Sequence, residues 1–92
     1  MRVLIITDDI EEWLEALRYY LTNTTYKHYK HGAIIENKFI RINITDSAEM
    51  IGRVRYTNIL IDKFVNNDLL EQIRAHQIVG VEYTSGFYVN QI

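Results

Sequence analysis

Apolar positions along the chain follow two periods that alternate. Val3, Leu4, Ile5 and Ile6 form an unbroken apolar run, the pattern of a strand buried on both faces. The period then changes. Ile10, Trp13, Leu14, Leu17 and Leu21 recur at three-and-four spacing, with Glu11, Glu12, Glu15 and Arg18 largely off that stripe, which predicts an amphipathic helix. Thr7, Asp8 and Asp9 stand at the junction. Asp8 with Glu11 and Asp9 with Glu12 have capping-box spacing, and the carboxylates suit the positive end of the helix dipole. Thr22-Asn23-Thr24-Thr25 ends the helix, because β-branched and Asn residues compete poorly inside one.

Alternation follows after Gly32. Residues 33–36 and 39–44 predict two strands of a hairpin around the two-residue turn Asn37-Lys38. Ile40, Ile42 and Ile44 share one face, and Phe39, Arg41 and Asn43 share a wetter one. Thr45-Asp46-Ser47 caps one or two helical turns through Ala48, Glu49, Met50 and Ile51, stopped by Gly52. The chain is organised around what comes next: a basic turn carrying Arg53 and Arg55 runs into the apolar Ile59-Leu60-Ile61 and closes on Asp62. Asn66, Asn67 or Asp68 caps a further helix through Leu69, Leu70, Ile73 and Ala75, ending near His76. Residues 78–83 predict another core strand, and Ser85-Gly86 turns into a last strand at 87–89. Strand, helix, hairpin, short helix, strand, helix, strand makes one α/β domain over residues 1–92. It is a small sandwich with a mixed, mainly parallel sheet, a β-hairpin insertion and helices on the sheet faces.

Composition narrows the function classes. A chain of 92 residues that is 48% hydrophobic and 24% charged is globular. No cysteine is present, so neither a disulfide framework nor a thiolate zinc site is available. No apolar run is long enough to span a bilayer, and no charged-then-apolar leader appears, which predicts a soluble, cytoplasmic protein without membrane association. A net charge of -2 weakens generic phosphate binding but leaves local basic patches open.

Three groups of residues carry candidate chemistry. Asp8, Asp9 and Asp62 stand at strand ends, where open α/β sheets hold ligands and where carboxylates could share a magnesium ion. The competing explanation is two helix caps and a strand terminus, each cap contributing about 1 kcal/mol. Tyr26, Lys27, His28, Tyr29, Lys30 and His31, extended by Lys38, Arg41, Arg53 and Arg55, form a candidate nucleic-acid or partner surface, since aromatics stack on bases and Lys neutralises phosphate. The competing explanation is a solvated loop and hairpin face. His28 and His31 have the spacing of two metal ligands on one helical turn, without a third ligand to complete a set. Trp13, Tyr19 and Tyr20 are expected in the core or at a dimer contact, and Tyr83, Phe87 and Tyr88 at a protein-binding surface.

The order of these pieces resembles the middle of a P-loop ATPase of the helicase and phage terminase large-subunit kind. There an apolar strand and helix precede a hairpin, a segment ending in a Gly-Arg pair, and a Tyr-led Walker B strand. Residues 3–6, 9–21, 33–44, 47–55 and 56–62 follow that series. The resemblance implies a truncated core, because no glycine here belongs to a GxxxxGK[ST] loop, and Asp62-Lys63 replaces the Asp-Glu whose Glu positions water. A weaker resemblance, to a response-regulator receiver, rests on Asp8 and Asp9 as an acidic pair and Asp62 as phosphoacceptor. That pattern lapses where the hairpin replaces a strand and helix. With no complete catalytic motif, the expected protein is a non-enzymatic interaction protein of viral, phage-like kind. It binds and modulates or inhibits a protein partner, such as a component of a nucleic-acid machine, as a homodimer or other homo-oligomer and with no cofactor. The alternative is a nucleotide-, magnesium- or nucleic-acid-binding module.

Overall fold

The computed structural model describes residues 1–52, 55–62, 65–75 and 81–84. In chain order they form β1 (Arg2–Ile6), α1 (Ile10–Tyr20), β2 (Thr25–Tyr29), β3 (Gly32–Glu36), β4 (Arg41–Thr45), a 3₁₀ turn (Ala48–Gly52), β5 (Asn58–Asp62), α2 (Asn67–Ala75) and β6 (Val81–Thr84). The strands make one sheet in the order β2-β3-β4-β1-β5-β6. β4, β1, β5 and β6 run parallel, while β3 is antiparallel to both β2 and β4. The α/β class, the mixed sheet and the hairpin follow the sequence pattern.

The unbroken apolar run in β1 is explained by helices on both faces. Val3 and Ile5 pack with Trp13, Leu14 and Leu17 of α1 and with Ile35, Ile42 and Ile44. Leu4 and Ile6 point the other way, onto Ile61, Ala48 and the α2 residues Leu69 and Ile73. Each such fully buried side chain contributes about 1.5–3 kcal/mol, so the central strand needs apolar residues at every position.

The hairpin differs in its connection. Glu36 pairs with Arg41, so the loop is 37–40 and not the two-residue Asn37-Lys38. Asn37 Oδ1 accepts hydrogen bonds from the amides of Phe39 at 2.9 Å and Ile40 at 3.1 Å, and Asn37 N–H donates to the Ile40 carbonyl. That side-chain competition draws Phe39 and Ile40 out of the strand.

Residues 25–29 form a strand, correcting the expectation of a solvated loop across 26–31. Lys30 and His31 make the tight turn into β3. The Thr45 hydroxyl, at 3.1 Å, and the Asp46 amide, at 3.2 Å, both donate to the His31 carbonyl and pin that turn to the end of β4. Gly32 is required by close approach, since a Cβ there would collide with the Ile44 carbonyl oxygen.

At α1 the expected capping boxes do not form. Asp9 is the N-cap residue but makes no side-chain capping bond, and its N–H instead donates to Thr7 Oγ1 at 3.0 Å. At α2 the cap is Asn66, whose Oδ1 accepts the Leu69 N–H at 2.8 Å. β6 coincides with the expected core strand at 81–83 and runs on to Thr84; residues 78–80, His76, the Ser85-Gly86 turn and the strand at 87–89 lie outside the described residues.

Candidate functional site

The sheet changes direction at β1. From β1 the chain moves out to the β4 side beneath α1, then crosses back to β5 through the 3₁₀ turn, with α2 on the opposite face. The carboxyl edge between β1 and β5 is therefore the switch point, the place where open α/β sheets offer a crevice.

Asp62 lies there, 7% exposed. Its Oδ2 accepts hydrogen bonds from Trp13 Nε1 at 2.9 Å and from the Thr7 hydroxyl at 3.0 Å. Buried carboxylates require such donors, because desolvation is otherwise costly. Asp8 is exposed, yet both its oxygens are also engaged: Oδ2 accepts the Asn66 backbone N–H at 2.7 Å and Oδ1 accepts Asn66 Nδ2 at 3.0 Å. Asp8 thus ties the loop after β1 to the cap of α2. Asp9 interacts with Glu12 instead. A hydrogen bond with Asp9, reinforced by the repulsion of its charge, holds the Glu12 carboxyl above the ordinary glutamate value; slight desolvation, Glu15 and Asp62 add to the effect.

The three aspartates consequently look in three directions, toward Trp13, Asn66 and Glu12. Among the described residues no group of three or more His, Asp or Glu could hold a metal ion. The residues that sequence reasoning missed are Thr7, Trp13 in its hydrogen-bonding role, and Asn66 as the partner of Asp8.

The basic stretch divides into two faces. Tyr26 lies opposite Ile35, on the α1 side, and Lys27 lies opposite Ile34, on the other. On the α1 side the Arg18 guanidinium sits 4.2 Å from the Tyr26 ring centre, and His28 Nδ1 lies 3.1 Å from Glu11. His31, in the turn, faces Asp46 at 3.6 Å. The helical turn on which His28 and His31 could have shared a metal does not form, since strand and turn direct the two exposed rings to separate carboxylates. Lys27 and Tyr29 share the opposite face with Arg41 and Asn43. Arg41 is 3.9 Å from Glu36. Arg55 is exposed, and Arg53 lies outside the described residues.

Among the described residues no helix covers that opposite face over β2, β3 and β4, because the α2 core lies over β1 and β5. A groove of about 320 Å³ runs along it, walled by Tyr29 and Ile34 on one side and by Glu49 and Met50 of the 3₁₀ turn on the other. Trp13 is a core residue, whereas Tyr19, 84% exposed, and Tyr20 form an edge-to-face pair with ring centres 5.2 Å apart on the outside of α1. No described helix is long and apolar enough to cross a membrane. No family model, curated protein or solved structure matches the chain.

Proposed function

We propose that the protein is a non-enzymatic binding module that engages a protein partner through the open edge of its sheet at β2. One observation carries this reading. Among the described residues β2 ends the sheet order, pairs with β3 alone, and exposes all five of its residues. An edge strand presents a row of unpaired N–H and C=O groups, so an extended segment of another chain can continue the ladder. Tyr26 and Tyr29 add exposed aromatic area of the kind enriched at protein interfaces. The switch-point carboxylates supply further support, because Asp8 and Asp62 already accept hydrogen bonds from groups that close the fold.

A photo-crosslinking residue at Thr25 tests the reading in the cells from which the protein comes, with the same residue at Glu71 on α2 as control. A discrete adduct from position 25 and none from position 71 is the expected result. Equal labelling from both positions, or none from position 25, would refute edge binding.

A second reading rests on Lys27, Tyr29, Arg41 and Asn43 sharing the face that no described helix covers. Together they offer cations, one stacking ring and a hydrogen-bonding amide to single-stranded nucleic acid. It requires affinity for an oligonucleotide that falls steeply with salt and drops on Tyr29→Ala.

A further inference from the structure

Resting on edge binding at β2, we infer that the segment it accepts is an acidic, extended stretch of another protein, added beyond β2 with a carboxylate facing Lys27. The register of β2 places Thr25, Lys27 and Tyr29 on one face and Tyr26 and His28 on the other. Charge on the α1 side is already answered within the chain, where His28 meets Glu11 and Arg18 covers Tyr26. Lys27 has no such answer. Its cross-strand neighbour is Ile34, and it forms no ion pair among the described residues, whereas Lys30, in the turn, lines a cleft with Asp8, Asp9 and Glu11.

A residue on an added strand directly opposite Lys27 would lie within cross-strand contact, where an opposite charge is favourable and a like charge is not. The positions beside that carboxylate would cover the Tyr26 ring, which suits β-branched side chains. The ladder supplies sequence-independent affinity, and Lys27 supplies selectivity and salt dependence.

A second copy of this chain fits less well. Antiparallel pairing of all five β2 residues with another β2 centres on Lys27 and sets that ammonium against its equivalent. Registers that avoid the clash centre on Tyr26 or His28 and leave only three residues of each strand paired. Lysine in the middle of an edge strand is a common device against self-association of this kind.

The test uses two short capped peptides, one alternating Glu and Thr and one alternating Lys and Thr, titrated into the intact protein while backbone amide resonances are followed by NMR. The Glu peptide is expected to shift residues 25–29, with affinity that weakens as salt is added. The Lys27→Glu protein is expected to invert the preference by roughly threefold. Position 27 is exposed, and a thermal melt confirms that the variant folds. Equal affinity for both peptides, no binding of the Glu peptide, or shifts confined to the groove of Ile34 and Met50 would overturn the inference. So would a concentration-dependent dimer whose formation protects the amides of β2. If any of these appears while the crosslink from position 25 to a different protein persists, edge binding stands and only the acidic chemistry falls. If the crosslink fails as well, both fall.

Discussion

Asp62 shows what a strand-end carboxylate does when its donors come from the core. Trp13 Nε1 and the Thr7 hydroxyl both point at Oδ2. Removing the acceptor leaves two buried donors unmatched, at about 1–3 kcal/mol each. Asp62→Ala is therefore expected to lower the unfolding free energy by roughly 2–5 kcal/mol in urea titration, a large share of a small domain's stability. A carboxylate kept only for a ligand would give an unchanged midpoint. Glu12 makes the opposite contribution. Its carboxyl is held above the ordinary glutamate value by its hydrogen bond with Asp9, so the folded state holds that proton more firmly than the unfolded chain. The associated stability is present below the unfolded value and is lost as pH rises through the raised folded value. Glu12→Gln removes that loss. Melting temperatures of the two proteins, followed upward from about pH 4, are expected to diverge with the variant the more stable. Parallel curves would show that Glu12 is not coupled to Asp9 in solution.

At the scale of elements, the carboxyl edge is held by one cap that serves two loops. Asn66 caps α2 through Leu69 and also binds Asp8 with both its backbone and side-chain N–H groups. Asn66→Ala is expected to cost about 1–2 kcal/mol, more than an isolated N-cap. Because Asp8 and Asn66 are in direct contact, the effects of Asp8→Ala and Asn66→Ala should not add. A double-mutant cycle giving strict additivity would show that the clasp contributes nothing. β1, β5 and α1 were legible in the sequence because helices on both faces demand continuous apolar runs and a three-and-four stripe. β2 was not legible for a related reason. Every residue of an edge strand exposed on both faces can be polar or aromatic without cost, so burial leaves no period to detect. The hairpin was legible, but its loop length was not, since it depends on where the Asn37 side chain finds its donors. Asp62 was legible as a strand end, whereas its partners lie 49 and 55 residues away in sequence, beyond the reach of local spacing.

Across the whole molecule, the sheet is unevenly protected. β1 and β4 lie inside the sheet and are flanked by strands on both sides, while β2 is the outer strand of a hairpin whose face away from α1 no described helix covers. Amide exchange is expected to be slowest in β1, approaching the global unfolding limit, and much faster in β2 through local opening. Uniform protection from β2 to β1 would mean that the edge is covered by something else. The same asymmetry places the open β2 edge at one end of the sheet and the stabilising clasp past β1, with β3, β4 and β1 between β2 and β5.

The chain has a single tryptophan, and that residue is the one bonded to Asp62. Trp13 is 1% exposed, so its ring reports from the centre of the α1 core while its N–H reports the closure of the carboxyl edge. The protein thus carries its own optical gauge. A ligand that docks along β2 leaves the indole emission in place, whereas one that pries apart β1 and β5 shifts it toward the red as water reaches the ring. One cuvette measurement separates the two ways in which this fold could be engaged.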